Sequence, residues 1–187
     1  MKSDRDQNPW VTLDQKTVYD NPWISVSHRN VLNPAGGKGI YGLVHFKNIA
    51  IAIVPLDDEL HTWLVGQYRY TLEAYSWEVV EGGGPLDEPV LASAQRELLE
   101  ETGIRARSWQ SIGEFAVSNS VTDERAVVFV AKDLTFGPSS PEDTEALEVR
   151  KVPFQQAFEM VMNGEITDML SATAILKTKY LLDAGKL

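Results

Sequence analysis

The chain contains no cysteine in its 187 residues. Disulfide scaffolds, thiolate zinc sites and cysteine nucleophiles are excluded together. No apolar run approaches the roughly 18 residues that a membrane-spanning helix needs. The polar opening Met-Lys-Ser-Asp-Arg-Asp-Gln-Asn does not resemble a secretory leader. A cytoplasmic protein with no membrane partner is therefore the expectation. Positive charge is also scarce. Seventeen Lys and Arg against 27 Asp and Glu leave a formal net charge of −10. Phosphate backbones demand basic surface, so the balance weighs against a nucleic-acid partner. The three histidines, His28, His45 and His61, show no metal-ligand spacing and read as structural or surface residues.

What is present concentrates in one stretch. Gly82 to Ile104 read G-G-G-P-L-D-E-P-V-L-A-S-A-Q-R-E-L-L-E-E-T-G-I. Val90 to Thr102 holds no Gly or Pro and is rich in Ala, Leu, Glu and Gln, which predicts a helix. Asp87 is the expected N-cap, with Pro89 in the first turn, where a missing N–H costs nothing. Gly103 stands where a helix ends in a left-handed residue. At about 100° per residue, Glu97, Glu100 and Glu101 share an arc of roughly 100°. Leu91, Ala92, Leu98 and Leu99 fall on the opposite, anchoring side. Three carboxylates on one face repel one another. A hard divalent cation, held through carboxylate oxygens and substrate phosphates, accounts for the cluster. Arg96 is placed to neutralise it by pairing with Glu88 or Glu97. The plainer alternative, a solvated acidic face, is outweighed by the completeness of the surrounding pattern.

The rest of the chain reads as a mixture of strands and helices, and its length suits one domain. Trp10 to Lys47 alternates apolar and polar residues around turns at Asp20-Asn21-Pro22 and at Asn33 to Gly37, the pattern of a β-meander. Asn-Pro-Trp occurs at Asn8 and again at Asn21, which predicts two similar strand starts. Gly36-Gly37-Lys38-Gly39 lacks phosphate-loop spacing and reads as a hairpin turn. Strands are expected over Asn48–Leu56, Thr62–Tyr70 and Ser76–Val80, then near Trp109–Val117, Ala126–Ala131 and Leu147–Val152. Phe154–Asn163 and Asp168–Ala184 read as amphipathic helices whose core positions are Ala157, Met160, Val161, Leu170, Ala174 and Leu181.

The stretch from Gly82 fits G-x5-E-x7-R-E-U-x-E-E-x-G-U, with U aliphatic, at Gly82, Glu88, Arg96, Glu97, Leu98, Glu100, Glu101, Gly103 and Ile104. It resembles the Nudix box, the defining motif of hydrolases that use divalent metal to cleave a nucleoside diphosphate linked to another group. The resemblance implies an α/β fold with a mixed β-sheet sandwiched between helices over residues 48–187. Residues 1–47 would form an N-terminal antiparallel β-segment that serves dimerisation and substrate contact. It further implies that Gly82, Glu88, Arg96 and Gly103 shape the motif. Glu97, Glu100 and Glu101 would hold two or three Mg²⁺ or Mn²⁺ ions, with Glu101 counted as catalytic too.

Three features outside the box resemble the ADP-ribose pyrophosphatase and nucleotide-sugar hydrolase branch. V-G-Q-Y-R-Y at Val65–Tyr70 is similar to its V-x-Q-Y-R strand, which implies that Arg69 grips a diphosphate. W-E-V-V-E-G-G at Trp77–Gly83 resembles its W-E-x-P-A-G, with Val80 and Glu81 in place of Pro and Ala. The residue at the Ala position there gives its backbone carbonyl to metal, which assigns that role to Glu81. S-N-S-V-T-D-E-R at Ser118–Arg125 precedes an acidic loop, P-E-D-T-E, at Pro141–Glu145. The branch often draws its general base from such a loop, so Glu142 and Glu145 are both candidates, with Asp143 between them. Trp23, His28 and Arg29 lie where the branch recruits base- and ribose-binding groups, often across a homodimer interface. Trp23 is equally readable as a nucleobase platform or a core residue.

The expected reaction is hydrolysis of a nucleoside diphosphate sugar, of the ADP-ribose or GDP-mannose type, to nucleoside monophosphate and sugar phosphate. Two other readings stand beside it. One is a Nudix hydrolase of a damaged nucleoside triphosphate or dinucleoside polyphosphate. The other is a non-catalytic module that binds ADP-ribose or a nucleotide. Base and sugar preference and the phosphorus attacked are open at this point.

Overall fold

A continuous apolar run has no polar face to show solvent, so N-I-A-I-A-I-V-P at Asn48–Pro55 must be covered on both sides. The computed structural model, which describes residues 7–139 and 146–187, places it as an inner strand between two cores. Ile49, Ile51 and Ile53 join one cluster with Ala94, Leu98, Ile104 and Phe129. Ala52 and Val54 join another with Val128, Val130, Ala157, Ala174 and Ile175. The alternation of one strand thus feeds two packed layers.

The elements begin with β1 (Val11–Asp20), β2 (Ile24–Leu32) and β3 (Lys38–Phe46). Next come β4 (Asn48–Pro55), β5 (His61–Arg69), β6 (Ala74–Glu78), β7 (Val80–Pro85) and helix α1 (Val90–Thr102). Then follow β8 (Ile104–Ala116), β9 (Arg125–Phe136), β10 (Glu148–Pro153), α2 (Phe154–Met162) and α3 (Met169–Asp183). Two compact units emerge, one of residues up to Lys47 with Ser118–Glu124, the other of Asn48–Val117 with Arg125–Leu187.

The first unit is the antiparallel meander β1-β2-β3. Its two Asn-Pro-Trp copies use one device: Asn8 Oδ1 accepts the Trp10 N–H at 3.0 Å, and Asn21 Oδ1 accepts that of Trp23 at 2.9 Å. The Gly36 region is the β2–β3 hairpin turn, with Gly36 at φ 81°. Residues 118–124 dock on β3. Tyr41 donates to the Ser120 carbonyl at 2.7 Å, and Asp123 takes His45 Nδ1 at 2.6 Å and the Phe46 N–H at 3.0 Å.

The second unit holds a mixed sheet, β7-β4-β9-β8, in which β4 and β9 run parallel, and an antiparallel sheet, β10-β5-β6. α1 packs with Ala94 and Leu98 on one core, while α2 and α3 bring Ala157, Met160 and Ala174 to the other. The mixed sheet is sandwiched between helices, as the resemblance implied. The strand expected near Trp109 starts earlier, at Ile104, because left-handed Gly103 turns the chain directly from helix to strand. Among the described residues, no helix is long and apolar enough to cross a membrane.

Candidate active site

Glycines weaken a strand unless something must approach its backbone. β7 carries three in a row, and α1 is what approaches. A Cβ on Gly82 would lie 2.1 Å from Cδ of Glu97, and one on Gly84 would lie 2.7 Å from Oγ of Ser93. Ser93 and Glu97 are four residues apart, about 6 Å along a helix axis; Gly84 and Gly82 are two apart, about 6.6 Å along a strand. The two spacings match, so helix and strand interlock and the Glu97 carboxylate is laid against the backbone of β7.

This interlock also fixes the rotation of α1. Its buried residues are Ser93, Ala94, Leu98 and Glu101. Leu91 is 39% exposed, Ala92 is exposed and Leu99 only half-buried, so the expected leucine anchor reduces to Leu98. Small Ser93 and Ala94 face the sheet instead, because bulk there would push the helix off the glycines. The start of the helix differs as well. Pro89, not Asp87, is the N-cap, without a side-chain acceptor. A residue preceding proline is driven out of the helical region, so Glu88 cannot take up the first turn that an Asp87 cap requires. The far end follows expectation: Gly103 adopts φ 71° and donates its N–H to the Leu99 carbonyl at 2.8 Å.

Arg96 ties the carboxylates to the strand. Its guanidinium meets Glu97 at 2.8 Å, Glu100 at 2.9 Å and the Gly83 carbonyl at 3.0 Å. It does not pair with Glu88, which is exposed beside the turn. Glu101 is buried, at 3% exposure. Among the described residues, no three His, Asp or Glu side chains converge as a ready-made metal centre. The donor set nevertheless fits a hard divalent ion: three carboxylates from one helix, backbone carbonyls at the β7 edge, and neither thiolate nor imidazole. Arg96 now supplies Glu97 and Glu100 with the positive charge that such an ion would bring.

With Gly82 and Gly84 facing α1, strand alternation sends the Glu81 side chain to the other face. There it accepts a hydrogen bond from Ser171 Oγ at 2.5 Å. Burial, and then the neighbouring charge of Asp168, push its carboxyl well above the usual carboxylate range. The side chain is thus committed away from α1, and the Glu81 group left for that edge is its carbonyl. Carbonyls two residues apart on a strand point the same way, so this one shares the edge on which Arg96 meets Gly83.

Arg69 closes the β5 end of the unit. Its Nε lies 2.9 and 3.1 Å from the two Glu78 oxygens, and its Nη2 also pairs with Glu78. Glu78 is only 2% exposed, against 37% for Arg69. Hydrogen bonding to Glu78 holds the guanidinium above its ordinary pKa, so Arg69 is a fixed cation.

The remaining candidates belong to the first unit or fall outside the described residues. Trp23 is 64% exposed, which removes the core reading. His28 is exposed, and half-buried Arg29 donates from Nε to Ser27 Oγ at 3.2 Å. Within the first unit Arg29 lines a cavity of about 220 Å³ with Trp10, Tyr41 and Leu43. Trp10 and Tyr41 meet edge to face at 5.5 Å. These two aromatics were not anticipated, although Tyr41 sits directly opposite Arg29 in the strand register. Glu142, Asp143 and Glu145 lie outside the described residues. Glu78, Asp168 and Ser171 were also missed. Glu78 stood inside a quoted motif, and Asp168 and Ser171 have the spacing of a helix cap.

A family model described as NUDIX domain matches residues 46–170. The chain is 33% identical to an ADP-ribose pyrophosphatase of Bacillus subtilis, covering 94% of this chain and 96% of that protein. It is 28% identical to an ADP-ribose pyrophosphatase of Mycobacterium tuberculosis, over 91% and 83%. A GDP-mannose pyrophosphatase of Klebsiella pneumoniae is also 28% identical, over 80% and 73%. Among solved structures, one described as an ADP compounds hydrolase superposes with a TM-score of 0.84 at 21% identity, covering 95% of this chain and 97% of that one, a likeness of fold.

Proposed function

The chain belongs to the Nudix family, and from that premise we propose that it hydrolyses the diphosphate of a nucleoside diphosphate sugar, with ADP-ribose the first candidate. Water adds across the bond, giving a nucleoside monophosphate and a sugar phosphate. One observation carries the reaction: the Glu97, Glu100 and Arg96 cluster held against the glycine strand, with buried Glu101 behind it. The substrate class follows the named activities of relatives that cover most of the chain.

A divalent ion, Mg²⁺ or Mn²⁺ in two or three copies, supplies Lewis acidity to the phosphoryl transfer when bound. Glu97, Glu100, Glu101 and the Glu81 carbonyl would hold it. Gly82 lets Glu97 reach the strand, and Arg96 keeps Glu97 and Glu100 on one side of α1. The hydrogen bonds from Arg69 to Glu78 use Nε and Nη2, which leaves Nη1 to meet a diphosphate oxygen. Glu142 or Glu145 takes the proton of the attacking water. Trp23, His28 and Arg29 contribute to base and ribose recognition, Trp23 by stacking of its exposed ring. The working protein is a cytoplasmic homodimer.

The test is a panel of ADP-ribose, GDP-mannose, dinucleoside polyphosphates and nucleoside triphosphates with Mg²⁺ and with Mn²⁺. Monophosphate released from the sugar nucleotides is the expected outcome. Turnover confined to the triphosphates or the dinucleoside polyphosphates would reassign the substrate.

A further inference from the structure

Residue 79 is the single residue between β6 and β7, where the chain leaves one sheet of the second unit and joins the other. A crossing of this kind leaves a backbone N–H outside both ladders, and burial makes an unpaired donor costly. Val79 is 1% exposed. Its N–H is met by a side chain from far along the chain: Ser171 Oγ accepts it at 3.1 Å. The same hydroxyl donates to Glu81 Oε1 at 2.5 Å. Ser171 is fully buried in the first turn of α3, and its own N–H donates at 2.7 Å to Asp168, the cap of that helix. One hydroxyl therefore grips both sides of Val80, and the helix start that carries it is itself capped.

We propose that Ser171 is a positioning residue for the metal-facing carbonyl of Glu81. Val79 through its backbone N–H and Glu81 through its side-chain carboxyl are both fastened to one oxygen atom on α3, which restrains the strand up to the Glu81 Cα from which that carbonyl projects. The next residue, Gly82, has no side chain to hold it, because Glu97 fills the space where a Cβ would stand. Without the clamp, the strand end facing Glu97 would be fixed on that stretch by β4 pairing alone, from Ala52 and Ile53. The clamp also gives the Glu81 side chain a purpose. At the point where the branch pattern has alanine, a carboxyl on the face opposite α1 gives Ser171 something to hold. The inference rests on the metal-site reading above, since it concerns how that site is kept in shape.

The test is Mn²⁺ binding to the metal-free full-length chain, followed by loss of the free-ion electron paramagnetic resonance signal. Residues that orient metal ligands typically contribute 10- to 100-fold in affinity. Ser171→Ala is expected to weaken Mn²⁺ binding at least tenfold. Thr178→Ala, which trims a fully buried side chain of the same helix, is expected to lower the unfolding temperature and leave Mn²⁺ affinity unchanged. Should Ser171→Ala fail to fold, Ser171→Cys preserves volume with a much weaker hydrogen-bonding atom, and the same loss is expected. Wild-type affinity in whichever Ser171 variant folds would overturn the clamp while leaving the metal site standing. Equal weakening in Thr178→Ala would reduce Ser171 to a stability residue. Absence of Mn²⁺ binding in the wild type would instead remove the metal-site reading itself.

Discussion

At the scale of single residues, the sequence motif singled out three carboxylates of α1 without showing the company they keep. Glu97 and Glu100 share Arg96, as charge repulsion along one helix face required, and Glu88 takes no part. Glu81 entered as a backbone ligand, and its half-buried side chain proves to be bonded to Ser171, with Asp168 raising its pKa. No reading of spacing could reach that pairing, because Ser171 and Asp168 lie some ninety residues away. A measurable consequence follows. A carboxyl whose folded pKa lies above its unfolded value contributes stability that is present below the unfolded pKa, near 4.3, and lost as pH rises through the folded value. Replacing Glu81 with Gln removes that loss and keeps an acceptor for Ser171. The unfolding temperature of Glu81→Gln relative to wild type should therefore rise as pH increases above about 4.5. A difference that stays flat across this range would mean that Glu81 is not held neutral in the fold.

At the scale of elements, helices and inner strands were legible because their periodicity is a direct record of burial. β4 is the clearest case: its unbroken apolar run predicted cover on both faces, and two cores take its alternate residues. α1 was legible as a helix, but its rotation was not. Hydrophobicity alone turned the leucines inward, whereas the glycines of β7 draw Ser93 and Glu97 in and leave Leu91 exposed. β8 starts earlier than expected because left-handed Gly103 turns the chain straight from α1 into the strand, with Ile104 buried and Arg105 and Arg107 exposed. The junction between α1 and β8 depends on Gly103, at φ 71°, where an added Cβ would fall 2.2 Å from the Gly137 carbonyl oxygen. The left-handed backbone costs a residue with a Cβ about 1–2 kcal/mol, and relieving a backbone clash adds about 1–3 kcal/mol. Gly103→Ala should then destabilise the protein by about 2–5 kcal/mol in urea unfolding. A loss under about 0.5 kcal/mol, the usual range for surface changes, would show that the helix end is not so constrained.

At the scale of the whole molecule, composition set the frame: no thiol chemistry, an acidic surface and a chain long enough for a full core. The α/β sandwich and the family followed from one motif and its flanks. What the sequence left dark was tertiary in origin, namely the division of the sheet at Val79, the docking of residues 118–124 on β3, and the Trp10–Tyr41 cavity beside Arg29. Each joins residues whose separation carries no local pattern. The proposed homodimer is testable at this scale by analytical ultracentrifugation, where the sedimenting mass should be twice that of the chain at micromolar concentration. A single-chain mass throughout would confine substrate contacts to one copy.

The central claim is that the carboxylate face of α1 drives metal-dependent cleavage of a nucleotide sugar. Its most direct test is the release of AMP from ADP-ribose with Mg²⁺, followed by chromatography for wild type and for Glu101→Gln. Glu101→Gln puts an isosteric amide at a buried position and is expected to keep the fold, which circular dichroism checks. Wild type should produce AMP and ribose 5-phosphate in equal amounts and stop on chelation of the metal, while Glu101→Gln should retain less than about a hundredth of the rate, a loss of roughly 2.7 kcal/mol in transition-state stabilisation. Near-normal turnover in Glu101→Gln, or ADP-ribose recovered intact from the wild type, would contradict the account.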